Sequence, residues 1–316
     1  WAEDATPDFN HVLGQVSKQH PELQKAVDEI RLADEEQLYR VTVEPATVVW
    51  TNVIFESLRG VTMRSIDGEV INPDPFYVKE IAKQLSKTLN SYPRIHQRNR
   101  WLELPFGKRI SFESESDAEA GTELIEEAFQ IIESWRPDLL KEIRLLDPDI
   151  QFIRDLDAHP DKAVSFSDNT TPGALYICIR VSGGLIDPYL LADSIIHEHR
   201  HQKLYLLQRE VPLVEQDRPL VQSPWRDDLR PPSGLFHAVF VFVHLWEYWK
   251  SLAGSGLTTD IQRRARGELE LIDERIERAL PTLKATKLSS YGFQLLELLE
   301  ATFRDRAPIA AVEAIR

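Results

Sequence analysis

Asp187-Pro188-Tyr189-Leu190-Leu191-Ala192-Asp193-Ser194-Ile195-Ile196-His197-Glu198-His199-Arg200-His201 reads as the first half of a buried helix that carries metal-binding chemistry. Asp187 before Pro188 is an N-cap followed by proline in the first turn. Leu191, Ile195, Ile196, Leu206 and Leu207 cover so much of the circumference that a helix over Pro188–Arg209 belongs inside the protein. Turning about 100° per residue, His201 lies ~40° from His197 on the same face, and Leu204 ~20° to the other side. Two imidazoles so placed can grip one metal ion, with Glu198 close enough to act on whatever the ion binds. Two core histidines without a metal would each need a separate hydrogen-bond partner. His199 falls on the opposite face and reads as structural or solvent-facing.

The next apolar helix, Gly234–Leu252, supplies candidates for a third ligand. His237, Val241, His244 and Tyr248 share one stripe, but the two histidines are separated by about 10 Å along the axis, too far to hold one ion together at ~2 Å. His237 is the favoured ligand, because it lies near the helix start among small neighbours. His244 and Glu247, the latter ~80° off the His237 direction, are the alternatives. The remaining histidines, His11, His20, His96 and His159, stand singly and read as surface or capping residues.

Composition narrows the function class. A chain of 316 residues, 42% hydrophobic and 28% charged, is an ordinary globular protein of one large or two closely packed domains. No apolar run approaches the ~18 residues that span a bilayer. The start, Trp1-Ala2-Glu3-Asp4, has no secretory-signal pattern, and its lack of Met points to removal of a preceding segment. A single cysteine, Cys178, excludes an internal disulfide; within Leu175–Ile179 it reads as a buried, inert thiol. A cytoplasmic location fits. With 37 basic against 51 acidic residues and a net charge of −14, the composition argues against a nucleic-acid binder, and with no membrane-length apolar run no membrane partner is expected.

Periodicity predicts helices over Glu22–Leu38, Ala46–Leu58, Phe76–Leu89 (capped by Asp74-Pro75), Glu119–Ser134 and Asp138–Leu146. Arg94–Leu104 and Lys108–Glu113, joined by Pro105-Phe106-Gly107, read as a hairpin. Ile150–Leu156, Ala163–Ser167 and Ala174–Val181 read as a small sheet ended by Gly183-Gly184. Helices over Thr259–Ala279 and Leu288–Phe303 follow. The fold class is therefore α+β, predominantly helical with a small β-sheet and a metal site between two buried helices. Residues 1–149 form a mainly helical N-terminal region, a candidate for peptide binding, and residues 150–316 the catalytic region. Between the two histidine-bearing helices runs Pro212–Gly234, with five prolines, too long for a plain connection and so a candidate functional loop.

Two chemistries use such a site. In a zinc peptidase Glu198 is the general base for a metal-bound water. In an iron(II) oxygenase three protein ligands leave positions for a 2-oxo acid and dioxygen, and an arginine suits the distal carboxylate of 2-oxoglutarate. Asp193–Leu204, Ser223-Pro224-Trp225-Arg226-Asp227-Asp228-Leu229-Arg230-Pro231 and Gly234–Ala238 together resemble the HExxH-type peptide-modification family, over roughly residues 185–250. Its members have glutamine where this chain has His237, and histidine where it has Phe242. The resemblance implies an iron(II)- and 2-oxoglutarate-dependent dioxygenase that β-hydroxylates a side chain in a ribosomally made precursor peptide. It also implies His197 and His201 as metal ligands, Arg226 or Arg230 on the 2-oxoglutarate carboxylate, Trp225 as a pocket wall, and Glu198 either behind the ligands or facing the substrate. His237 remains the favoured third ligand on helix spacing, with His244 and Glu247 as the alternatives. The alternatives are a zinc metallopeptidase and a non-catalytic peptide-binding module with a structural metal.

Overall fold

The computed structural model describes residues 2–85, 94–95, 98–146, 149–156, 158–159 and 162–305. The fold is α+β and predominantly helical. In chain order the elements are α1 (Ala2–Gln19), α2 (Gln24–Arg31), α3 (Glu35–Thr42), α4 (Pro45–Leu58), α5 (Val78–Leu85), β1 (Arg94–Ile95), α6 (Arg100–Glu103), β2 (Ile110–Phe112), α7 (Glu115–Trp135), α8 (Pro137–Leu145), β3 (Asp149–Asp155), β4 (Ser165–Phe166), β5 (Ala174–Ile177), β6 (Arg180–Val181), β7 (Gly184–Leu185), α9 (Pro188–Glu210), α10 (Pro232–Ala253), α11 (Thr259–Lys284) and α12 (Ser290–Asp305). They form two compact units, Trp1–Ala192 and Asp193–Arg316. The boundary expected at 149/150 instead falls within sheet-bearing chain, because β3 pairs with β1 and β2 from before it. Among the described residues no helix is long and apolar enough to cross a membrane.

In the first unit, β3 is buried from Asp149 through Ile153, as a strand with partners on both edges should be. It pairs in parallel with β1 (Arg94 opposite Asp149) and β5 (Asp149 opposite Ala174), while β4 closes antiparallel on β5. Among the described residues the expected hairpin is not formed. β2 runs antiparallel along the far end of β3, Ile110 opposite Asp155, so β1 and β2 share one edge of β3 instead of pairing with each other. Between them Asn99 caps α6 by accepting from the Trp101 amide at 3.0 Å, and a helical turn replaces the hairpin bend. The helix expected over Glu22–Leu38 is also broken. Asp34 accepts from the Gln37 amide at 2.8 Å while the Gln37 side chain accepts from the Asp34 amide at 3.2 Å, a reciprocal cap that starts α3 afresh. The helix expected to Leu89 is described as α5 to Leu85; its last residues lie outside the described set. The small sheet over Ile150–Val181 is present, and Ser182-Gly183, both with positive φ, turn β6 back onto β7. Trp50, Tyr77, Trp101, Phe106 and Tyr176 fill the core beneath these elements. Cys178 is a buried free thiol whose burial pushes its pKa up.

The second unit is built on α10, which is buried along most of its length and packs against α11 and α12. Its tryptophans reach carboxylates across helices: Trp246 Nε1 donates to Asp273 and Trp249 Nε1 to Asp193, each at 2.6 Å. The segment after α9 is tied to the start of α12. Ser289 N donates to Leu213 O at 3.1 Å, Glu215 N to Lys287 O at 2.9 Å, and Gly292 backs onto Leu213. A Cβ on Gly292 would overlap the Leu213 carbonyl oxygen and lie 2.8 Å from its carbon. Backbone on both sides cannot yield, so Gly292→Ala is expected to cost about 2–4 kcal/mol. A thermal melt equal to that of the parent would show that this close approach does not matter.

Candidate metal centre

Helix α9 begins as its sequence signals: Asp187 Oδ1 accepts from the amides of Tyr189 and Leu190 at 2.9 and 3.4 Å. From Asp193 onward, α9 and α10 touch at residue pairs that run in opposite directions. Gln208 and His201 meet His237, His197 meets Phe242, and Asp193 meets Trp249. The two helices are therefore antiparallel neighbours, and the histidines lie between them.

His197 and His201 point the same way, as one helical turn requires. Their Nε2 atoms are 3.2 Å apart. Two nitrogens each ~2.1 Å from one ion, at an angle between square and tetrahedral, are separated by ~3.0–3.4 Å. The 3.2 Å separation of the pair lies within that range, and it is also a hydrogen-bond distance. Burial, helped by the positive charge of Arg226, pushes His197 down to about 4. Burial likewise takes His201 to about 4, with His197 and Arg226 adding to it and Glu198 opposing. Both rings are then neutral near pH 7, the state a metal needs. Glu198 is 2% exposed, with Oε1 3.9 Å from His197 Nε2, on the nitrogen that would face the ion.

His237 is brought to the cluster but not as the expected ligand. Its Nδ1 lies 3.2 Å from Nδ1 of His201, on the side of that ring away from His197. Its Nε2 is 2.6 Å from Gln208 Oε1. Burial first, then His201, lowers its pKa to about 3. The three rings thus form a chain and do not converge on one point. The face of α10 nearest His197 carries Phe242 instead, edge-on to the imidazole at 5.4 Å. His244 is buried, its Nδ1–H donating to Phe240 O at 2.7 Å. Among the described residues no three His, Cys, Asp or Glu side chains are arranged to hold one ion. His199 is buried at 3% exposure, on its own face, so its structural reading holds and the solvent-facing one does not. His11 and His159 are exposed and His20 is partly so; His96 lies outside the described residues.

The proline-rich connection is ordered by its own hydrogen bonds. Val221 and Arg230 exchange both backbone bonds at 2.8 Å, closing residues 222–229 into a turn. Inside it Gln222 Nε2 donates to the carbonyls of Ser223 and Arg226. Trp225 stacks on Phe242 with ring centres 4.7 Å apart, so a Trp225–Phe242 wall stands against His197. The indole Nε1–H of Trp225 is buried with no hydrogen-bond partner among the described residues. The two arginine candidates separate here. Arg230 pairs with Asp228 at 3.2 Å, whereas Arg226 makes no ion pair among the described residues and its charge reaches both His197 and His201.

Gln208 and Tyr205 escaped the sequence reading, and Phe242 entered it only as the position where the resembled family has histidine. Gln208 lies seven residues beyond His201, hence on its stripe, and that spacing was the available signal. Tyr205 packs on the His237 ring at 4.5 Å. The chain matches no protein-family model and no curated protein.

Proposed function

We propose that the second unit is an iron(II)- and 2-oxoglutarate-dependent dioxygenase that hydroxylates a side chain of a ribosomally made peptide. One observation carries the reading: a pair of imidazole Nε2 atoms 3.2 Å apart that share the field of one arginine, Arg226, which makes no ion pair among the described residues. His197 and His201 would hold the ion through Nε2. When bound, iron(II) with a 2-oxo acid supplies oxidative activation of dioxygen. Arg226 offers a planar fork to the distal carboxylate of the cosubstrate. Trp225 and Phe242 exclude water from the side of His197 and leave the indole N–H for an oxygen acceptor. Glu198 is placed to accept a hydrogen bond from substrate beside the ion.

The experiment is anaerobic titration of 2-oxoglutarate into the iron-loaded protein, followed by its visible charge-transfer band, then succinate release with peptide and air. Arg226→Leu is expected to weaken 2-oxoglutarate binding about 10–100-fold, the loss of one charge-assisted pair of about 1.5–3 kcal/mol. Absence of any band or succinate sinks the proposal. The position of Glu198, buried and 3.9 Å from His197 Nε2, favours a second reading, zinc peptide hydrolysis with Glu198 as base. Peptide cleavage with zinc and no cosubstrate, abolished by Glu198→Gln, would establish it instead.

A further inference from the structure

We infer that His237 and Gln208 set the tautomer of His201, so that His237 is a positioning residue behind a metal ligand and not a ligand itself. The inference rests on reading His197 and His201 as the metal-holding pair. His201 uses both of its ring nitrogens: Nε2 meets His197 Nε2 and Nδ1 meets His237 Nδ1, each at 3.2 Å. A neutral imidazole carries one proton, so one nitrogen donates and the other accepts. The order along the chain follows from its far end.

Gln208 Oε1, 2.6 Å from His237 Nε2, is an acceptor, which places the His237 proton on Nε2. His237 Nδ1 then bears a lone pair. The nitrogen opposite, His201 Nδ1, must donate to it. That leaves the lone pair of His201 on Nε2, where it accepts from His197 Nε2–H at 3.2 Å; an ion taking that place would displace the His197 proton and find His201 already in its binding form. The planes of His201 and His237 differ by only 20°, which suits an N–H aimed at an in-plane lone pair. Tyr205 packs on the His237 ring and holds its plane. Both nitrogens of His237 are thus engaged, one by Gln208 and one by His201, and neither is left to bind metal. If the Gln208 amide were turned about, every proton would shift by one place. His201 Nε2 would then carry hydrogen and repel the ion. Second partners of this kind orient metal-binding imidazoles and raise their basicity.

The test begins on the metal-free full-length protein, with two-bond proton–nitrogen NMR correlations of ¹⁵N-histidine. Expected is the Nδ1–H form at His201, opposite to the Nε2–H form that imidazole prefers in water. In His237→Phe and, independently, Gln208→Leu, His201 should revert to Nε2–H. Cobalt(II) affinity of both variants should fall about 10–100-fold. His237→Gln, whose amide oxygen can accept the Nδ1–H, should recover most of it. At saturating cobalt(II) the ligand-field bands of His237→Phe should match the parent's, since no donor atom has left the ion. An Nε2–H tautomer at His201 in the parent, or bands displaced in His237→Phe, overturns the inference. A parent that binds no cobalt(II) defeats the metal reading separately, because the tautomer is read without metal.

Discussion

His201→Ala is expected to abolish tight binding of divalent transition ions while leaving the helical fold in place. Apparent binding energies at four-ligand protein sites of ~10–16 kcal/mol correspond to roughly 3–4 kcal/mol per donor, so loss of one nitrogen lowers affinity about a hundred- to a thousandfold. With two imidazoles converging on the site among the described residues, the remaining one has none of these to chelate with, which places the effect at the upper end. The fold should survive because His201 lies at the edge of the core, half-buried. The change leaves His237 Nδ1 without its neighbour, a loss of about 1–3 kcal/mol. Glu198→Gln is the matched control. It keeps both imidazoles and the buried volume, so metal affinity should stay within a few-fold. Calorimetric titration with cobalt(II) or anaerobic iron(II), beside far-ultraviolet circular dichroism, separates these outcomes. Unchanged affinity in His201→Ala would mean that His197 and His201 are no metal site.

The helices and the histidine pair were legible because both depend on local spacing. Asp187-Pro188 sets the start of α9, and the four-residue spacing of His197 and His201 dictates a shared face whatever the surroundings. The adjacency of His237 was legible for the same reason. Which of its nitrogens meets which partner was not: a stripe gives the direction of Cβ and leaves the ring free to turn about its χ angles, so a neighbour could pass for a ligand. The hairpin failed on a different ground. Arg94–Leu104 and Lys108–Glu113 carry the residues of strands, but β1 and β2 find their partner in β3, about fifty-five and about forty residues on, and no local signal announces a shared third strand. Arg226 and Arg230 looked equivalent in sequence because both stand near Asp227 and Asp228. The turn closed by Val221 and Arg230 hands Asp228 to Arg230 and leaves Arg226 without an ion pair among the described residues, its charge acting on His197 and His201.

The metal-free protein is expected to lose stability steeply as pH falls from about 6.5 to 4, and the signs of four groups, His237 buried and His197, His201 and Asp193 partly so, say why. His197 and His201 sit near 4 and His237 near 3 in the folded state, against 6.5 unfolded. A depressed folded value means that the unfolded chain takes up protons the native state refuses, so their stabilisation is present above 6.5 and lost on acidification. Asp193 opposes them. Burial raises it to about 7 from 3.8, although its bond from Trp249 Nε1 pulls the other way. Its contribution is complete below 3.8 and is lost as pH rises toward 7. Between 4 and 6.5, unfolding therefore takes up as many as three protons on histidine and releases one from Asp193. A net of two corresponds to a slope of at most about 2.7 kcal/mol per pH unit. The three rings touch, so they do not charge independently, and about 3 kcal/mol over the window is the expected scale. Against a typical total of ~5–15 kcal/mol, that is enough to bring unfolding within reach of mild acid. Asp193→Asn should steepen the slope and raise stability above pH 7 by about 2 kcal/mol, half the full three-unit value because Asp193 keeps part of its surface in solvent. Below pH 4 the same substitution should bring no gain. Metal loading adds a second signature: with histidines already neutral, cobalt(II) affinity should hardly change between pH 7 and 5, where an ordinary histidine site loses much of its own. Urea titrations across this range decide the first point and cobalt(II) titrations the second. A stability that is flat or rising on acidification would show that these imidazoles are not held neutral by burial.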